Sequence, residues 1–145
     1  MEVYTIGFTK RTAGDFFGAL RRAGIQRLLD VRLNNASQLA GFTKREDLLF
    51  FLRELCGADY VHDTRLAPTP ELLADYRKRG ASWQEYERRF RALMAERQPE
   101  KLFDRSTFAV PTELLCSETS AERCHRRLVL EHLQHQWGGL QIVHL

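Results

Sequence analysis

Apolar positions along this chain fall into two rhythms that alternate from the first residues to the last. A short apolar run, Val3 to Gly7, reads as a strand closed by glycine. It is followed by a helix-period stretch in which Phe16, Leu20 and Ala23 share a face, with Thr12 at the N-cap, Asp15 three residues on and Gly24 at the end. Arg27 to Arg32, "RLLDVR", predicts a second strand, and a polar loop then leads to "TKREDLLFFLRELCG". There Thr43 and Glu46 have the spacing of a capping box, and Leu48, Leu52 and Leu55 mark a buried stripe that carries Cys56 at its end. "ADYVHD" predicts a third strand. Thr69, Pro70 and Gly80 bound a short helix, and Ser82 with Glu85 opens a longer one on which Trp83, Tyr86, Phe90 and Leu93 recur at helical spacing. "TELLCS" predicts strand four. Thr119 and Glu122 are placed to cap the helix "ERCHRRLVLEHLQHQW", and "LQIVHL" predicts strand five.

Strands that alternate with helices predict an α/β fold. The expectation is a single three-layer domain over residues 1–145, with a mostly parallel five-stranded sheet and helices on both faces. Right-handed crossovers leave few arrangements, and the expected strand order is 3-2-1-4-5. Strands one and four then meet at the switch point, where open α/β sheets bind ligands at the carboxyl ends of their strands.

Composition narrows the class. The chain of 145 residues is 43% hydrophobic and 28% charged, which excludes a disordered chain. No apolar run nears the ~18 residues of a membrane span, so no membrane partner is expected. "MEVYTIG" lacks the charged-then-apolar pattern of a signal peptide, and three cysteines argue against a disulfide scaffold. A cytoplasmic location is expected. A net charge of +3 with pI about 8.9 suits an anionic ligand without demanding nucleic acid. Oligomeric state is not readable from these features.

The densest chemistry lies in "LLCSETSAERCHRRLVLEHL". Cys116 ends predicted strand four, and Cys124, His125 and Arg126 open the next helix. A helix start offers unpaired N–H groups and partial positive charge, which favour anions and lower the pKa of a nearby thiol. Cys116, Asp30 and His125 are the candidate catalytic residues. Gly7, Arg32, Glu118, Cys124 and Arg126 are the candidate ligand-binding ones. Gly7 would let a ligand approach the backbone. Asp30 could take a proton or a ribose hydroxyl and Arg32 could hold an anion, although an Asp30–Arg32 ion pair would account for "DVR" equally well. Cys116, Cys124 and His125 are potential metal ligands, with His62 as a fourth from outside, but C-x7-C-H is not a usual zinc spacing and no metal is assigned. No dinucleotide or nucleotide-triphosphate fingerprint is present, and the cofactor is unspecified. Arg77, Lys78, Arg79, Arg88, Arg89, Arg91 and Arg97, interleaved with Tyr76, Trp83 and Tyr86, could form a nucleic-acid surface, but acidic neighbours favour a solvated helix face.

The segments "YTIGFT", "DVRLNNASQLAGFTKREDL", "YVHDTRLAPTPELL", "WQEYERRF", "LLCSETSAERCHRRLVLEHL" and "IVHL" together resemble the DUF488 family, a domain of unknown function, over essentially the whole chain. The C-x-E…C-H-R element, here Cys116, Glu118, Cys124, His125 and Arg126, is the most specific mark. The resemblance implies a compact α/β domain of an intracellular prokaryotic protein and implies no established reaction. Many such relatives resemble "TIGHS" where this chain has "TIGFT", so Phe8 stands in place of a histidine. Three functions compete. One is an enzyme-like site for a phosphate-bearing ligand, a small molecule such as a nucleotide or a nucleic acid. Another is redox or sulfur-transfer chemistry through Cys116 and Cys124, and the third is a non-catalytic binding module.

Overall fold

The strand "TELLC" is the least obviously central of the five by sequence, since it carries Thr112 and Glu113, yet it is buried at every position. The computed structural model describes residues 1–35, 41–116 and 123–145. Its strands are β1 (Glu2–Gly7), β2 (Arg27–Asp30), β3 (Asp59–His62), β4 (Thr112–Cys116) and β5 (Gln141–His144). They form one sheet in the order β3-β2-β4-β1-β5, and every neighbouring pair is parallel. The expected order 3-2-1-4-5 is therefore corrected: β4 lies between β1 and β2. The physical reason is burial. An interior parallel strand is covered on both faces, which β4 tolerates throughout, whereas β3 and β5 have only exposed and half-buried positions and take the edges.

The register sets the carboxyl ends side by side. Gly7 pairs with Cys116 across β1 and β4, and Asp30 pairs with Leu115 across β2 and β4. The chain leaves β1 toward β2 on one side and leaves β4 toward β5 on the other. The topological switch point thus falls between β1 and β4, with Cys116 at its lip.

Alternation along the strands divides the core into two layers. Val3, Leu29, Leu114 and Cys116 face one layer with Phe90, Met94, Leu128 and Leu133. Ile6, Leu28 and Leu115 face the other with Phe16, Phe17, Leu20, Leu48 and Leu52. The helices are α1 (Ala13–Arg22), α2 (Arg45–Phe51), α3 (Pro70–Arg77), α4 (Trp83–Arg97), α5 (Pro99–Leu102) and α6 (His125–Trp137). Three caps form as the sequence predicts. Thr12 accepts from the Asp15 amide, Thr69 from Leu72 and Ser82 from Glu85, each at 3.1 Å. The expected Thr43–Glu46 box does not form. Thr43 is buried in a 3-10 turn whose carbonyl accepts from Arg32, and α2 starts one residue later with Lys44 at its cap and no side-chain bond there. The expected cap at Thr119 and Glu122 lies outside the described residues.

Glu113 is an unexpected feature of this core. It is fully buried in the central strand, and neither carboxyl oxygen meets a hydrogen-bond partner among the described residues. Burial pushes its pKa well above the usual carboxylate range, against the opposing pull of Arg126 and Arg11. The folded state thus keeps a proton at pH values where the unfolded chain has lost it. This contribution is favourable below the ordinary glutamate pKa and is lost as pH rises toward the raised one. Glu113→Met is expected to raise unfolding free energy by about 1–3 kcal/mol, with the gain growing as pH rises. Denaturant unfolding of both proteins over a pH series checks this. A gain independent of pH would show that the carboxyl does not titrate differently on folding.

Candidate functional site

Cys116 is the last residue of β4, and Cys124 is the N-cap of α6. The intervening segment 117–122, with Glu118, lies outside the described residues. The two sulfurs meet as a disulfide across Cα atoms 7.5 Å apart, and the cysteines are 1% and 2% exposed. Arg126, 1% exposed, donates from Nη1 to the Cys116 sulfur at 2.8 Å. A buried guanidinium beside a sulfur favours its thiolate when the bond is open.

His125 completes the group. Its Nε2 lies 2.7 Å from the Val31 carbonyl oxygen, which can only accept, so that nitrogen carries the proton in the neutral ring. Nδ1 is then left with a lone pair, 4.0 Å from the Cys124 sulfur. Burial lowers the pKa of His125 to about 4, with Arg126 adding to the effect and the Val31 bond opposing it, so the ring is neutral near pH 7.

A small cleft opens above the sulfurs. Cys116, Cys124 and His125 form its floor, Tyr76, Trp83 and Tyr86 one wall, and Arg77 and Arg123 its basic rim. The Trp83 and Tyr86 rings stack with centroids 5.2 Å apart, and Tyr76 lies 4.9 Å from Tyr86. The sequence assigns these rings to the core. They do pack on it, but their edges also shape the cleft. The interleaving of the rings with arginines was the available signal.

The "DVR" segment is built differently. Arg32 donates from Nε and Nη2 to the Asp30 carboxylate at 2.9 and 2.8 Å, and from Nη2 to the Thr43 carbonyl at 2.7 Å. The Tyr60 hydroxyl donates to Asp30 at 2.6 Å and accepts from Asn35. Burial, with the Asp30 charge, pushes the Tyr60 hydroxyl well above the usual tyrosine range. Asp30 and Arg32, candidates for proton transfer and anion binding, are thus engaged with each other in the interior. Neither lines the cleft. Phe8 lies beneath this pair, its ring 5.3 Å from the Arg32 guanidinium carbon, which gives the residue in the histidine position a packing role. Gly7 sits beside Cys116 in the sheet. His62 is bonded to the Arg32 carbonyl at 2.7 Å and is no part of the sulfur group.

The basic middle helices are largely neutralised. Arg79 and Arg89 pair with Asp75, Arg88 with Glu85, and Arg91 with Glu87 and Glu131, while Arg97 donates to the carbonyls of Arg65 and Ala67. This is the solvated face that the acidic neighbours suggest. Among the described residues no helix is long and apolar enough to cross a membrane.

A family model described as domain of unknown function DUF488 matches residues 12–133, and the chain belongs to that family. No curated protein and no solved structure matches it.

The Asp30 network separates support from chemistry. Asp30→Asn leaves the buried Arg32 without its counter-charge and is expected to cost about 3–5 kcal/mol of stability. Tyr60→Phe removes one bond to the carboxylate and should cost about 1–3 kcal/mol. Chemical denaturation reads both, and a loss under about 1 kcal/mol for Asp30→Asn would show that the pair is not a structural anchor.

Proposed function

We propose that this DUF488 protein carries out thiol chemistry, in which Cys116 and Cys124 cycle between dithiol and disulfide at the floor of the cleft. The observation that carries this reading is the convergence of the two sulfurs with the Arg126 guanidinium, 2.8 Å from one of them. In the reduced form Arg126 favours the Cys116 thiolate, the stronger nucleophile at neutral pH. That thiolate attacks a small disulfide, forming a mixed disulfide and releasing one thiolate. The Cys124 thiol, its proton facing His125 Nδ1, then attacks the Cys116 sulfur and expels the second. Two protein thiols and one external disulfide become one protein disulfide and two external thiols. The burial of both cysteines favours small partners over bulky ones.

A phosphate-bearing ligand is the second reading, supported by the stacked rings and by Arg77 and Arg123 on the rim. It does not use Arg32, which is bound to Asp30 and Thr43. A thermal shift produced by nucleotides but not by nucleosides would favour it.

The thiol reading is tested by equilibrating the protein, without air, across a series of glutathione redox buffers and counting alkylated cysteines by mass. The expected result is one reversible two-electron transition confined to Cys116 and Cys124, absent in Cys116→Ser, with the half-buried Cys56 outside it. Arg126→Gln should raise the pH at which Cys116 becomes alkylated. A pair that stays reduced in every buffer sinks the proposal.

A further inference from the structure

We infer that the reduced site is a three-ligand zinc site, formed by Cys116 Sγ, Cys124 Sγ and His125 Nδ1, with its fourth position open to the cleft. The spacing of these residues in the chain does not suggest zinc. Their placement in space does. The three donor atoms lie within 4.8 Å of one another. They are two soft thiolates and an imidazole, a set that selects zinc among the common divalent ions.

Four further observations support the assignment. The first is the histidine tautomer. A metal-bound histidine nearly always donates its other ring N–H to a carboxylate, carbonyl or water. His125 does this with Nε2 on the Val31 carbonyl at 2.7 Å, which turns the free lone pair of Nδ1 toward the sulfurs before any ion arrives.

The second is backbone spacing. The Cα atoms of Cys116 and Cys124 are 7.5 Å apart, beyond the ~4.4–6.8 Å usual for a disulfide. Two sulfurs each about 2.3 Å from one tetrahedral ion are separated by roughly 3.8 Å. The strand end and the helix start therefore stand at a spacing that also accommodates the wider pair.

The third is the Arg126 Nη1 bond to Cys116, which is the kind of N–H contact that steadies a ligating thiolate. The fourth is access. All three donors line the same small cleft, so an external group can reach the remaining position. Two thiolates balance a divalent ion, and Arg77 and Arg123 at the rim then favour water, hydroxide or a small anion as the fourth ligand. Binding replaces two thiol protons with one zinc ion and needs no oxidant.

The inference uses the cysteines of the thiol reading in their reduced state, and the two fail separately. The full chain is reduced, stripped with a chelator and titrated without air with zinc chloride alone, then with cobalt chloride. The expected result is one ion per chain, a release of protons on binding, and a thiolate-to-cobalt absorption band with the intensity of a four-coordinate centre. Bound zinc should protect Cys116 and Cys124 from alkylation while Cys56 continues to react. Cys56→Ser should bind as the parent does, and Cys124→Ser should lose the cobalt band. Arg126→Gln should weaken binding by about 10–100-fold, as expected for a group that supports a ligand. Absence of binding to the reduced parent, or binding that leaves both site cysteines as reactive as Cys56, overturns the zinc site. A parent that binds zinc but shows no reversible disulfide in glutathione buffers retains the zinc site and loses the redox cycle. The opposite pair of results retains the cycle and removes the zinc.

Discussion

The buried Asp30 carboxylate is the constraint on which the site depends. It fixes Arg32 through two side-chain bonds and also accepts from the Arg32 backbone amide at 3.1 Å, so the chain must turn at the end of β2. That turn presents two carbonyls in succession. Val31 O takes the N–H of His125, and Arg32 O takes His62. The tautomer of His125, and with it the direction of the Nδ1 lone pair, is thus set by a carboxylate on the neighbouring strand that never enters the cleft. Buried charges are retained where every lone pair is used, and this one accepts from Arg32 and Tyr60 together.

The position of β4 matters as much. With β4 between β1 and β2, Cys116 has Gly7 on one side and the Asp30 end of β2 on the other. At an edge, the same cysteine would have lacked one of these neighbours. The central place carries a cost, because Glu113 is drawn into the interior with no partner for either oxygen among the described residues. The same strand sets Cys116 three residues further on, at the carboxyl end of the sheet.

Much of this was legible in the sequence. Alternating strand and helix periods gave the fold class, and the caps at Thr12, Thr69 and Ser82 formed as their spacing required. The strand order was not legible, because a strand containing threonine and glutamate does not announce that it is buried on both faces. "DVR" could be read as ion pair or ligand site, and only burial separates the two. The Cys-His-Arg element stood out by composition. What composition could not show is that Nε2 of His125 is committed to a backbone carbonyl, a contact 94 residues away along the chain. The rings of Tyr76, Trp83 and Tyr86 followed core spacing so well that their second use, as a wall of the cleft, was signalled only by the arginines interleaved with them.

The two buried arginines supply an internal comparison that bears on the choice between thiol chemistry and non-catalytic binding. Arg32 shows how this fold ties down a loop: a carboxylate meets the guanidinium with two parallel bonds, a tyrosine completes the carboxylate's shell, and an aromatic ring packs beneath. Arg126 is buried as deeply, yet it directs Nη1 at a sulfur. A sulfur is a poor partner for a buried cation while it is a thiol or half of a disulfide, and a good one when it is a thiolate. The arrangement therefore gains most in the state where Cys116 carries negative charge, which is the state that attacks a disulfide and the state that binds a metal ion. A sulfur at the end of the central strand suits the proposed thiol chemistry, with stability supplied one strand away by Asp30.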